Sequence, residues 1–471
     1  MNTKQRVQTT LSLIIGTMLS QTSLANNTIT LEEIVVTAQK RTESLQDVPI
    51  SLAALGGKKL SEAGINTVSD LTAYVPNIHM TETGLSTQLR IRGIGSGNNG
   101  GFEQSVGQYV DGIYYGRAQL IRAPFLDLER IEVLRGPQSI LFGKNSIAGA
   151  LNMTTNKPTE EFEAELRARY EPEYGALDAT GVVSGKLSNS VRARLAYRSY
   201  DEDGYMDNTY ANTDGPARDE QALRLTLAWD VSNDLELLFK AESDTFDVKD
   251  RHNEVVQDSP NPLGASYSQI IQDLGGPGFE GMLNYQRQAE LQDTSENEVY
   301  NYTLTAKYQW GENTLSAISG WTGYKYEELC NCDYIPADLF EITAFEDYDQ
   351  FSQEIRVVSP GGENLDWIVG AFYQTNELKT GSEFIFPTSS LIDAVVPNIA
   401  GHSNLRANDQ ETETWAVFAQ GTWNFSELTR VTLGTRYTVE DKQATRQTTV
   451  VEADTLSATE NPLVLGTWGA I

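Results

Sequence analysis

From about residue 160 onward, apolar and polar residues alternate with a period of two, and this pattern constrains the fold more than any other feature of the chain. In "VRARLAYRSY", Val191, Ala193, Leu195 and Tyr197 share one face, while Arg192, Arg194, Arg198 and Tyr200 share the other. In "ALRLTLAW", Leu223, Leu225, Leu227 and Trp229 oppose Arg224 and Thr226. The segments "LELLFKAE", "YNYTLTAKYQW", "LDWIVGAFYQ", "TWAVFAQGTW" and "RVTLGTRYTVE" repeat the theme. Successive strand side chains point to opposite faces, so such segments build a sheet that separates two different media.

The connections indicate which media. They alternate in length: short ones ("KLSNS", "VSND", "GENT", "PGGEN", "NFSE") are interleaved with long ones, roughly Asp203 to Asp219, Val248 to Ser295, Glu328 to Ala344 and Lys379 to Asp409. A secreted sandwich has no reason to collect its long loops at one end, whereas outer-membrane barrels have short periplasmic turns and long outer loops. Trp229, Trp310, Trp321 and Trp423 stand near predicted strand ends, as an interfacial girdle requires. One strand per alternating segment gives about eleven or twelve strands. The predicted fold class is therefore mainly β: a transmembrane antiparallel β-barrel with an α+β domain before it.

That preceding region, Val48 to Pro158, mixes short helices and strands. "NTVSDLTAYVPNI" predicts a helix opened by Asn66 or Thr67 and stopped before Pro76. "SVGQYVDGIYYGR" predicts two strand pieces around a turn at Asp111-Gly112. Gly95, Gly97 and Gly100 fit G-x-G-x-x-G, but the helix that a dinucleotide site needs does not follow. Residues 1–25 carry a basic start, the apolar stretch "LSLIIGTML" and a small-residue end, the pattern of a secretory signal peptide. No apolar run long enough for a helical span follows it.

The formal net charge of -30 opposes any nucleic-acid role. His79, His252 and His402 lie far apart and predict no metal site. Cys330 and Cys332 sit in a long loop of an exported chain, where oxidation is permitted but a one-residue spacer makes a tight ring, so their pairing stays open. No nucleophile motif or H-E-x-x-H is present, and no enzyme activity or resident cofactor is expected. The stretch "LEEIVVTAQKRTESLQDVPIS" places a lone β-branched run near the mature N-terminus, where chains are mobile. Such a run can add as a strand to a partner's sheet edge.

At these residues the chain resembles the TonB-dependent outer-membrane receptors, most closely their ferric-siderophore branch. "EEIVVTA" resembles the TonB box, and "LRIRGIG", "YVDGIYYGR" and "LERIEVLRGPQSILFGKNSIAGALN" resemble plug signatures. "FSQEIRVVS" and "VTLGTRYTVE" are similar to barrel segments. The resemblance implies four regions: signal peptide 1–25, TonB box and linker 26–47, plug 48–158, and barrel 159–471. It implies energised uptake of a scarce ligand, a ferric siderophore, across the outer membrane of a Gram-negative cell. TonB, drawing on its inner-membrane complex, is the expected partner, and outer-membrane lipid surrounds the barrel.

The resemblance also implies residue roles. Glu33, Ile34, Val35, Val36, Thr37 and Ala38 would pair with TonB. Arg92 and Arg135 would form plug–barrel ion pairs, with Glu354 as a candidate partner. Asn98, Asn99, Phe102, Tyr114, Tyr115 and Arg117, on plug loops, would touch the ligand. Related receptors take cobalamin, haem, carbohydrates or aromatic compounds, and a passive porin is the reading that lacks box and plug. Because the family barrel closes with twenty-two strands, the sequence is expected to be an N-terminal fragment with about half a barrel.

Overall fold

The computed structural model describes residues 35–83, 86–97, 103–258, 264, 266–279, 281–426, 429–453, 455–459 and 464–465. The expected signal peptide, Glu33, Ile34, Asn98, Asn99 and Phe102 lie outside the described residues.

The chain enters through β1 (Val35–Val36) and β2 (Glu43–Ser44), a small antiparallel pair, followed by β3 (Ser51–Gly56), α1 (Gly57–Ala63) and α2 (Val68–Tyr74). α2 starts where the sequence places it. Thr67 caps it, with Asp70 bonding back to the Thr67 backbone, and the run to Pro76 ends it at Val75. β4 (Ile78–Thr83), β5 (Ser86–Ile91) and β6 (Ile94–Gly95) form a meander. β7 (Val106–Val110) and β8 (Ile113–Tyr115) form a hairpin whose turn residues, Asp111 and Gly112, both have φ in the left-handed region, at 51° and 87°. A two-residue hairpin turn demands that conformation. With β9 (Leu128–Arg135) and β10 (Gly149–Thr155) they build a five-stranded sheet, β3-β9-β10-β7-β8, parallel only between β10 and β7.

The wall begins with β11 (Glu163–Glu171), β12 (Ala176–Lys186) and β13 (Val191–Glu202). Two short strands, β14 (Met206–Asn208) and β15 (Thr213–Gly215), occupy the next loop before β16 (Ala217–Asp230) and β17 (Leu235–Lys249). α3 (Tyr267–Asp273) and β18 (Gln286–Arg287) lie in the longest loop. β19 (Thr294–Trp310), β20 (Asn313–Cys330), β21 (Glu341–Val358), β22 (Leu365–Phe386), β23 (His402–Ser426) and β24 (Thr429–Glu452) complete it. These long strands pair in sequence order as one antiparallel sheet of eleven, with β11 and β24 at its edges among the described residues. That number meets the count expected from the alternation.

The sheet inverts the usual burial rule. Leu195, Leu223, Leu225, Leu304 and Trp321 are exposed on its outer face, whereas Arg194, Arg224, Lys240, Asn301 and Gln350 are buried on its inner face. An outer face of this kind suits hydrocarbon, and the inner face wraps the plug. Ile318, Tyr324, Tyr348 and Leu378 of the wall join the plug's own Leu89, Ile91, Leu120 and Ile131 in one apolar cluster. Trp229, Trp310 and Trp423 lie at or near the short-turn ends of their strands. Trp321 does not: it stands halfway along β20, a strand long enough to extend beyond a membrane.

Candidate functional site

The N-terminal strand is docked, which corrects the expectation of a loose ribbon. Val36 and Ala38 are fully buried, while Val35 remains exposed. The physical reason is Glu132, a carboxylate with no exposed surface in the middle of β9. A buried charge requires partners, and the N-terminal segment supplies one of them. The Thr37 amide donates to Glu132 Oε1 at 2.6 Å, Arg130 Nε donates to the same oxygen at 2.9 Å, and Asn152 Nδ2 donates to Oε2 at 2.8 Å. Arg130 also donates to Thr37 Oγ1 at 2.9 Å. Ala38 then packs among Tyr109, Tyr114, Phe142 and Phe418.

Two cations extend this attachment to the wall. Lys40 Nζ donates to Glu354 Oε2 at 2.6 Å and lies 5.8 Å from the ring centres of both Phe142 and Phe418. Burial pushes the Lys40 pKa down to about 8, against the pull of Glu354. Arg41 donates to Ser359 Oγ and to the Trp367 carbonyl, each at 3.2 Å. Thr37, Lys40 and Arg41 line a cavity of about 1240 Å³ between the plug and the short-turn end of the wall.

The ion pairs that hold the plug differ from those expected. Arg92 and Arg135 both donate to Ser51 Oγ, at 2.9 and 3.5 Å, and neither forms an ion pair among the described residues. Burial, and then the neighbouring Arg92, push the Arg135 pKa down. Glu354 bonds Lys40 and Arg356 instead. The expected Arg92–Glu354 and Arg135–Glu354 contacts are therefore corrected.

Other ion pairs cross from plug to wall, three of them largely enclosed. Arg117 grips Glu346 through Nε at 2.6 Å and Nη2 at 2.8 Å, with both side chains buried. Asp111 accepts from Lys240 Nζ at 2.8 Å, and from the Thr155 amide and hydroxyl at 2.9 and 2.7 Å. Burial works against the Asp111 charge, but Lys240 and Thr155 outweigh it and hold the pKa down at about 2. Arg194 forms a fork on Asp127 at 2.6 and 2.7 Å.

The ligand-contact expectation is corrected at the three candidates that are described. Tyr114, Tyr115 and Arg117 are buried in the plug–wall interface. Asn301 Nδ2 donates to the Tyr115 hydroxyl at 2.9 Å, and Gln350 Nε2 donates to the Tyr114 carbonyl at 2.8 Å. Sequence reasoning marked this hairpin as important without locating its partners. A polar face along "LELLFKAE" gave the only signal for Lys240.

The long-loop end is ordered by its own contacts. Cys330 and Cys332 form a disulfide. Ile271 and Phe279 of the longest loop pack on Ile335, Ala337 and Leu339 of the next, with Leu391 and Ile392 of a third alongside. A cavity of about 250 Å³ opens between the plug and the wall there, lined by Asn66, Arg169, Tyr174, Arg198, Tyr200 and Arg218 among others. Among the described residues, no group of three or more His, Cys, Asp or Glu is placed to hold a metal ion.

Comparison with known proteins adds a family frame. Residues 44–150 match the TonB-dependent receptor plug domain, and residues 245–462 match the TonB-dependent receptor-like β-barrel. The chain is 26% identical over 341 residues to an iron-regulated outer membrane virulence protein of Vibrio cholerae, covering 65% of this chain and 50% of the relative. It is 23% identical over 438 residues to the pesticin receptor of Yersinia pestis, covering 88% of this chain and 56% of the relative. The fold is that of the ferric yersiniabactin uptake receptor of Yersinia pestis, with a TM-score of 0.66 at 18% identity, covering 85% of this chain and 62% of that one. The ferripyoverdine receptor of Pseudomonas aeruginosa matches with a TM-score of 0.67 at 16% identity, covering 96% of this chain and 61% of that one. The chain thus spans about half the length of the curated relatives that it matches.

Proposed function

We propose that this chain, which belongs to the TonB-dependent receptors by both its plug and its barrel, serves TonB-driven import of a ferric siderophore through the outer membrane. The family consists of receptors and transporters rather than enzymes. Relatives are named as ferrichrome and ferrioxamine B receptors as well as a pesticin receptor, which favours an iron chelate over cobalamin, haem or a sugar. A passive porin is disfavoured by a lumen filled with a plug that Arg117–Glu346, Asp111–Lys240 and Arg194–Asp127 tie to the wall.

The observation that carries the reading is the attachment of Thr37 to Glu132. TonB would take residues 33–38 as an added strand, through main-chain hydrogen bonds. A pull there loads Glu132 in the middle of β9 and withdraws Ala38 from Tyr109 and Tyr114. Both effects loosen the plug from its periplasmic side, where a large cavity already adjoins the segment.

Iron-55 accumulation from ferrichrome and ferrioxamine B tests this, in cells with and without the gene and with and without TonB. Accumulation that needs both supports the reading. Equal accumulation without TonB overturns it.

A further inference from the structure

The cavity of about 1240 Å³ at the short-turn end carries a row of cations that the attachment of the plug leaves unused. Lys307 of β19 stands opposite Ser316 of β20, and Ser316 stands opposite Arg356 of β21. Their chain neighbours Tyr308 and Ile355 are exposed on the outer face, so the row lies on the inner face, where all three residues line the cavity. Neighbouring strands are about 4.8 Å apart, which separates the Lys307 and Arg356 backbones by about 10 Å with a hydroxyl between them. Lys157, between β10 and β11, brings its ammonium against that of Lys307.

The chain's own carboxylates do not neutralise this row. Neither Lys157 nor Lys307 forms an ion pair among the described residues. Glu236, opposite Lys307 on β17, reaches Arg192 at 3.5 Å. Glu354 is shared between Lys40 and Arg356, and Arg356 Nε is buried without a hydrogen-bond partner among the described residues. The other carboxylates of the cavity are engaged elsewhere, Asp111 by Lys240, Asp230 by Arg192 and Glu129 by Arg130, except Asp234 on the exposed β16–β17 turn.

Like charges side by side destabilise a sheet. Their concentration on one inner face of a chain with a net charge of -30 therefore needs a reason beyond folding. A cleft lined by one sign of charge gathers its counter-ion. Two cationic donors flanking a hydroxyl suit a carboxylate, whose two oxygens accept from both sides. The cavity also lies where an imported ligand must leave, beside Thr37 and Lys40, which a pull on the N-terminal segment would displace.

We propose that Lys307, Ser316 and Arg356, with Lys157, form a carboxylate-binding station on the short-turn side, which holds a carboxylate-bearing ferric chelate after it has passed the plug. The inference rests on the uptake reading above for the arrival of the chelate, but not for binding at the station.

Citrate is the probe. The measurement is acetylation of lysines by acetic anhydride, read by mass spectrometry on the full chain in detergent-extracted outer membranes. Saturating citrate should slow acetylation of Lys157 and Lys307 about tenfold, while the exposed Lys58 on α1 stays reactive. Arg356→Gln should raise the half-protecting citrate concentration about tenfold, through loss of a charged donor. Ser316→Ala should raise it about threefold without changing any charge, and it decides the matter if Arg356→Gln disturbs the fold. Slow acetylation of the buried Lys240 reports that the plug is seated in each variant.

Protection by chloride at equal ionic strength, or protection unchanged in both variants, overturns the site. So does a Lys307 that is protected without citrate and unmasked by Glu32→Gln with Glu33→Gln, because the occupant is then the chain's own N-terminal segment. The two readings fail separately. Iron-55 accumulation that ignores TonB removes import and leaves the carboxylate station standing. Lysines that citrate does not protect remove the station and leave TonB-dependent accumulation standing.

Discussion

Lys40 and Glu354, 314 positions apart in the chain, meet at 2.6 Å where the N-terminal segment crosses the wall. The contact joins the part of the molecule expected to be pulled to the part that must stay in the membrane. Its ammonium is almost enclosed, resting on two phenylalanine faces. Its stability is therefore sensitive both to protonation and to the removal of either partner.

The first prediction concerns pH. The Lys40 pKa is about 8 when docked, against an ordinary value of 10.5 for a solvated lysine. Between those values the released segment binds more protons than the docked one, so docking strengthens as pH rises through the window, by up to about tenfold per pH unit. Below about pH 8 both forms are protonated and the dependence vanishes. A spin label at Val35 should show a smaller mobile fraction at pH 9.5 than at pH 7.5. Lys40→Met should remove the difference, and a rise in mobility with pH would refute the account.

The N-terminal strand gives the second. Val36→Pro removes a backbone donor from the strand that a partner would add to its sheet. Iron-55 uptake should fall to background while ligand retention on vesicles stays within about twofold, since the long-loop end is far from β1 in the fold. Normal uptake at normal expression would contradict strand addition.

The Arg117–Glu346 pair provides the third. Arg117→Met strands a buried carboxylate and should lower the resistance of the plug to urea by about 3–5 kcal/mol. The double variant Arg117→Met, Glu346→Leu should recover most of that loss, because the uncompensated charge is gone. Urea titration monitored by proteolysis of the plug distinguishes the outcomes, and an equally weakened double variant would show that packing rather than charge governs the contact.

The fourth tests the fit of the β7–β8 hairpin. A Cβ on Gly320 would overlap the Ile113 side chain, so the bare backbone of β20 forms the notch that receives it. Gly320→Val should destabilise the seated plug by about 1–3 kcal/mol through overpacking. Adding Ile113→Ala should relieve the clash. Thermal unfolding of the single and double variants measures both effects, and an unchanged transition in Gly320→Val would contradict the close approach.

The sequence by itself determined the strands of the wall, their inner and outer faces and the alternation of short and long connections, because a period of two is a local property and register follows from it. Local rules likewise set the helix capped at Thr67 and the turn at Asp111-Gly112. Tertiary structure alone decided the partners. Arg117, Arg92 and Arg135 look alike as sequence, yet one grips Glu346 and the others share the hydroxyl of Ser51. The same holds for Thr37: its β-branched neighbours marked it as part of a mobile strand, but the buried charge of Glu132 draws it into the lumen. A charge taken out of water must find an opposite charge or a donor in three dimensions, and residue identity at one position carries no information about which distant position provides it.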